Sequence, residues 1–264
     1  SCATTIYTHL DTVMLGFMTS DVEVGYYNAA VKIKTILVSI VTSLGVVLLP
    51  RASYYVEHKM MKEFYHITQK AIKFVLLVAT PMMVYFNFFA KEGIFLLSGS
   101  AYEGSIQPMQ IIMPTLLLIG LTNIMGIQML VPLGREKTVL CSEIFGVIVD
   151  VSLNSILIPR MASSGAAIGT LAAELVVWLV QFFALKCTIM EAYSKVHYKT
   201  LIFAIVVASI ASNLVRFIAM GNFLTLCVSA SVFFTIYFGI LTMLKEPLVL
   251  DIERQVIDKI KNKI

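Results

Sequence analysis

The sequence predicts an all-α polytopic membrane protein with about eight transmembrane helices, each near the ~20 mostly apolar residues that the hydrocarbon core requires. Three observations carry that prediction. First, 58% of the 264 residues are hydrophobic and 14% are charged, with a mean hydropathy of +0.87. Soluble domains carry about 25% charged residues, so this chain cannot cover itself with a wetted surface. Second, the apolar residues fall in long runs near 3–18, 28–50, 71–90, 107–133, 138–158, 164–185, 200–218 and 222–244. A membrane β-barrel would instead show alternation in segments of about ten residues. Third, the 20 Lys and Arg alternate between connections: 15 fall on one side, Lys91 and Arg160 on the other, and Lys32, Lys34 and Arg216 inside the runs. Basic loops stay in the cytoplasm, which places the chain's end and the start of its first span there.

The first run is short, and the Thr19–Tyr26 turn that follows it holds Asp21 and Glu23 but no basic residue. The chain opens on Ser1 and enters apolar sequence at once, without a basic region or cleavage site, which predicts the C-terminal part of a longer protein rather than a signal peptide. Residues 51–70 mix Lys and Arg with Tyr54, Tyr55, Met60, Met61, Phe64 and Ile67, a pattern suited to a helix lying along the inner interface. Pro81, Pro108 and Pro114 interrupt the third and fourth runs, and a proline there removes a backbone hydrogen bond and bends the helix. The small residues around Gly165 open the sixth run and permit close helix approach. In the tail, Val249, Ile252, Val256, Ile260 and Ile264 share one helical face behind Pro247, predicting an amphipathic cytoplasmic helix over 247–264.

Ionisable residues inside membrane spans are costly and mark function or pinned helices. Asp11 and Lys32 lie at similar depth on neighbouring antiparallel spans and are expected to form an ion pair. Lys34 is about 200° further round the same helix, which leaves it to face water or an anionic ligand. Glu174 falls near the bilayer centre, Asp150 in the outer half of the fifth span and Glu143 near its inner end. Such carboxylates either bind a coupling H⁺ or Na⁺ or hydrogen-bond to neighbouring helices. Arg216 is expected to snorkel or to pair with Asp150, and His9 to be a polar core residue.

Other function classes find no support. The basic residues are dispersed over loops without interleaved aromatics, against nucleic-acid binding. Cys2, Cys141, Cys187 and Cys227 are widely separated, and neither they nor His58, His66 and His197 have metal-ligand spacing. The cysteines read as small core residues. No motif for a cofactor, a phosphate loop or a nucleophilic enzyme is present.

Two stretches carry a resemblance. Leu10–Arg51, LDTVMLGFMTSDVEVGYYNAAVKIKTILVSIVTSLGVVLLPR, is similar to the opening of the C-terminal lobe of Wzx-type polysaccharide flippases, within the multidrug/oligosaccharidyl-lipid/polysaccharide exporter superfamily. Ile127–Glu174 resembles the junction between the fifth and sixth helices of that lobe, with Asn154, Pro159, Gly165, Ala166, Ala167, Thr170 and Glu174 at the pattern's positions. The resemblance implies a six-helix lobe over 1–190, two additional spans over 191–246 and the tail over 247–264. It implies a missing N-terminal lobe, a bacterial cytoplasmic membrane, and transfer of an undecaprenyl-diphosphate-linked oligosaccharide to the outer leaflet. The substrate's pyrophosphate and acidic sugars would meet Lys32, Lys34 and Arg51, with Asp11, Asp150 and Glu174 as coupling or structural acids. Asp150 departs from the pattern, which expects Asn there. A cation-coupled multidrug antiporter of the same superfamily, or a truncated non-transporting membrane protein, are the alternatives.

Overall fold

The computed structural model describes residues 2–194, 196–218, 221–247 and 249–250. The chain divides into two units at Ala192/Tyr193. In the first, α1 (Cys2–Met18), α2 (Asp21–Glu57) and α3 (Met61–Phe88) follow one another with tight turns. Then come α4 (Ala90–Ser98), a 3-10 turn (Ser100–Ser105), α5 (Ile106–Ile112), α6 (Thr115–Thr122), a π-helix (Asn123–Leu130), α7 (Glu136–Ala184) and α8 (Lys186–Ser194). No strand occurs among the described residues.

Five helices are long and apolar enough to cross a membrane, or six when the bent pair Ser100–Ile112 and Thr115–Leu130 counts as one crossing. That pair bends by 46°, where Pro114 interrupts backbone hydrogen bonding between α5 and α6. Pro81 and Pro50, by contrast, are carried inside α3 and α2.

α7 holds 49 residues, about 74 Å at 1.5 Å per residue, more than twice the ~30 Å hydrocarbon core. It is two antiparallel legs, 136–161 and 163–184, reversed at Ala162 (φ 48°, ψ −126°). With these legs counted separately and the 17-residue α1 added, the helices coincide with the eight apolar runs. The legs close along a seam of small residues. A Cβ on Gly165 would lie 2.6 Å from the Leu157 carbonyl oxygen, one on Gly146 2.7 Å from Val177, and one on Gly169 against the Asn154 side chain. Glu23 fixes the returning leg: its carboxylate accepts from the Ser163 backbone N–H at 3.1 Å and the Ser163 hydroxyl at 2.5 Å. An anion at a helix N-terminus meets both the unbonded amides and the positive dipole end.

The interfacial helix expected over 51–70 does not form. α2 continues through Arg51 to Glu57 and α3 begins at Met61, so this stretch is divided between the end of one long helix and the start of the next. Cys141, Cys187 and Cys227 lie on the exposed surface rather than in the core. A membrane helix facing lipid needs no polar group there, and a thiol is apolar enough for that position.

In the second unit, α9 (Tyr198–Leu214), a short 3-10 turn (Val215–Phe217) and α10 (Asn222–Met243) make an apolar hairpin. His197 Nδ1 meets Glu246 Oε2 at 2.8 Å where its ends come together. Arg216 is exposed and donates to Asn213 at 3.2 Å. The tail helix expected over 247–264 falls on residues of which 251–264 lie outside the described ones, as does the side chain of His9.

Ala162 holds a backbone conformation that a Cβ disfavours, at a cost of about 1–3 kcal/mol. Ala162→Gly should therefore raise the thermal unfolding temperature in detergent. Gly165→Ala, pressed on backbone, should lower stability by about 1–3 kcal/mol. Gly239→Ala, with open space around it, should stay within about 1 kcal/mol of the parent.

Candidate functional site

On the first leg of α7, Ser142, Gly146, Asp150, Asn154 and Ile158 recur every four residues and are buried. On the second, Ala166, Thr170, Glu174, Val177 and Gln181 do the same at spacings of three and four. These are the intervals at which helical side chains share a face. The two stripes face one another, and polar residues interrupt them at matching levels. α1 and α2 both pack against α7, and α1 adds Asp11 to the seam.

Asp11 is fully buried and collects donors from three directions. Tyr27 of α2 donates its hydroxyl to Asp11 Oδ2. The Thr170 hydroxyl lies 2.8 Å from the same oxygen and 3.1 Å from the Ala166 carbonyl, so its single proton serves one or the other. Asn154 donates Nδ2–H to Asp11 Oδ1 at 2.6 Å. Tyr27 and Thr170 also touch one another, 2.8 Å apart. A buried carboxylate is tolerated when its lone pairs are met in this way.

Asp150 is equally buried, yet neither of its carboxyl oxygens has a donor, nor does Asn154 Oδ1. Its carboxyl and that of Asp11 are close enough to repel one another, and two buried carboxyls sharing a site are not both ionised without a proton or a cation to offset them. Two carboxyls, an amide oxygen and a hydroxyl converging in a dry site form a donor set of hard oxygens. Such a set suits H⁺ or a small monovalent cation and does not suit a soft metal.

The six residues singled out in the sequence separate into three groups. Asp11 and Asp150 form this cluster. Glu174, 2% exposed, is one turn beyond Thr170 and lines a separate cavity. Lys34, 4% exposed, faces the same core and feels Glu174, Asp11 and Asp150, Glu174 most strongly. Lys32 and Arg51 are exposed on α2. The expected Asp11–Lys32 ion pair is therefore absent: Lys32 points away from the core, and Asp11 takes its hydrogen bonds from Tyr27, Asn154 and Thr170. Tyr27, Gln181 and Ser142 were not singled out. Only the four-residue recurrence of polar residues along both legs of α7 signals the last two, and Tyr27 reads in the sequence as an ordinary aromatic.

Comparison with known proteins agrees with the resemblance read from the sequence. Residues 1–56 match the family described as polysaccharide biosynthesis protein. The uncharacterized membrane protein MJ1068 of Methanocaldococcus jannaschii is 25% identical over 178 residues, covering 67% of this chain and 35% of that protein. The lipid II flippase MurJ, in an inward closed conformation, superposes with a TM-score of 0.76 at 15% identity, covering 94% of this chain and 52% of that one. The chain thus spans about half of the MurJ structure and about a third of MJ1068.

Removing one donor from a buried carboxylate leaves its desolvation uncompensated. Tyr27→Phe and Thr170→Val should each destabilise the protein by about 1–3 kcal/mol, read as a lowered unfolding temperature in detergent. Tyr26→Phe, on a half-buried ring, should not. With its opening residues matching the polysaccharide biosynthesis family and its helices superposing on about half of MurJ, this is a multi-pass membrane protein that shares the MurJ fold.

Proposed function

We propose that the chain is the C-terminal lobe, with two additional helices, of a flippase for undecaprenyl-diphosphate-linked oligosaccharide repeat units. It would carry them to the outer leaflet of a bacterial cytoplasmic membrane for surface polysaccharide biosynthesis. The observation that carries this reading is the outward face of α2. Asn28, Lys32, Thr35, Ser39 and Ser43 are all exposed and, at about 100° per residue, fall within an arc of about 80° running about 22 Å along the helix. The hydroxyls of Thr35, Ser39 and Ser43 bond to carbonyls of their own turn and would tolerate lipid. The Lys32 ammonium has no such outlet, and hydrocarbon penalises a central lysine by at least about 2.5–3.5 kcal/mol. This face therefore lines water, and Ile36, Ile40 and Val47 flank it on one side.

A diphosphate headgroup cannot cross about 30 Å of hydrocarbon unshielded. A wet groove with Lys32 at mid-depth and Arg51 at the far end of the same helix offers it successive cationic partners. Lys34, behind that face, supplies charge through the protein. The undecaprenyl tail stays among the membrane lipids, and the missing N-terminal lobe closes the groove from the opposite side. Asp11 and Asp150 take the coupling ion, H⁺ or Na⁺, because two buried carboxyls sharing a site favour a cation and both legs of α7 meet there. The basic connections favour a cytoplasmic end for the chain.

The buried carboxylates favour a second reading, a cation-coupled multidrug antiporter, and one experiment separates the two. In a bacterial strain lacking its own flippase, the full-length protein should restore surface polysaccharide. A well-expressed Lys32→Ala variant should reduce it at least about tenfold, the loss of one charge-assisted contact worth about 1.4 kcal/mol. Failure of the full-length protein in hosts with several repeat units, together with drug export, would favour the antiporter. Ion binding is tested separately. A cation filling the Asp11–Asp150 site to a hundred times its Kd should stabilise the protein by about 2.7 kcal/mol. Thermal unfolding in NaCl against choline chloride should show the gain, and Asp150→Asn should abolish it.

A further inference from the structure

A second polar site lies one turn along α7 from the Asp11 cluster. Thr170 and Glu174 are separated by four residues, about 6 Å of helix, but Glu174 opens on a different space. This is a cavity of about 50 Å³ lined by Thr122, Asn123, Gly126, Glu143, Glu174 and Gln181, among others. A water needs about 10–15 Å³ of such volume, so the chamber has room for a few.

Its walls come from both legs of α7, the end of α6 and the π-helix. The π-helix places Gly126 against Gln181, whose amide atoms lie 3.1 Å from where a Cβ on Gly126 would stand. Gln181 is 1% exposed. Its Nε2 donates to the Ser142 hydroxyl at 3.1 Å, while its Oε1 has no donor in the protein. A buried amide oxygen without a donor is costly unless something in the chamber donates to it. Water or a hydrated proton does so; an anion or an apolar ligand does not.

The charges around the chamber select between these. Glu143 and Glu174 face it from opposite legs of α7. Lys34 from α2 is a cation that interacts with Glu174. Asp11 from α1 and Asp150 of α7 lie within reach of Lys34 as well. α5, α6 and the π-helix contribute no titratable side chain. Two carboxylates on one small chamber, with Lys34 shared among Glu174, Asp11 and Asp150, cannot all be ionised cheaply. Taking up a proton relieves this, since a carboxylate becomes a neutral acid and no further charge must be desolvated.

We propose that this chamber is a proton-binding site distinct from the Asp11–Asp150 pair, in which Glu143 and Glu174 hold one exchangeable proton over water anchored by Gln181 Oε1. The step is a simple protonation: an O–H bond forms on a Glu carboxylate as a proton arrives from chamber water, and it returns by the same route. It does not depend on what the protein transports.

The test is infrared difference spectroscopy of the full-length protein in lipid nanodiscs, titrated across neutral pH in H₂O and D₂O. The expected result is a carboxylic-acid carbonyl band that shifts in D₂O and disappears in Glu143→Gln. In Gln181→Leu, which keeps both carboxyls, the band should persist with a midpoint moved by about one pH unit, a tenfold change in proton affinity. Monodisperse elution and unchanged helical circular dichroism establish that each variant has folded. The proposal is overturned if the band survives Glu143→Gln intact, if Gln181→Leu titrates as the parent does, or if the band belongs wholly to the Asp11–Asp150 pair and vanishes only in Asp150→Asn.

Discussion

A carboxylate held away from water in the middle of a membrane protein has to be met by donors from its surroundings, and at Asp11 those donors come from separate helices. Tyr27 reaches it from α2, Asn154 from one leg of α7 and Thr170 from the other. None of these side chains could move by a helical turn without stranding the acid. The register between α1, α2 and the α7 hairpin therefore follows from this one group. The glycines of the hairpin answer the same demand, because Asn154 reaches Asp11 across a space that a larger residue at position 169 would occupy.

The polar groups are graded along the seam. Glu23 and Ser163 close it at the reversal, Asp11 and Asp150 occupy the next level, Lys34 and Glu174 the next, and Ser142 with Gln181 the far end. Apolar residues such as Ile158, Ala166, Ala173 and Val177 seal the levels from lipid. Membrane helices gain no hydrophobic drive for associating with each other, so close packing and interhelical hydrogen bonds must supply the adhesion. One set of contacts here provides both adhesion and titratable chemistry.

Much of this was legible in the sequence. The number and order of crossings follow from apolar length and basic-residue alternation, and Asp11, Lys34, Asp150 and Glu174 are conspicuous because charge inside a span is rare. Depth alone does not reveal partners. Asp11 and Lys32 share a level but not a face, and the four-residue stripes of α7, not proximity to the turn, decide what Asp11 meets. The stretch 51–70 reads as an interfacial helix because its composition is mixed, yet helices longer than the bilayer acquire the same composition where they emerge. The π-helix over Asn123–Leu130 is not legible in the sequence, because its apolar residues suit an α-helix equally well.

The reversal at Ala162 carries a consequence for how the protein is made. Because a single residue outside helical geometry separates the two legs, no loop exists that could be threaded across the membrane ahead of its second strand. Legs so closely joined, and packed along their glycines, would enter the bilayer most cheaply as one unit. Asp150, Asn154, Thr170 and Glu174 are buried in that seam, so the closed hairpin shields from lipid the polar groups that either leg alone would expose to it.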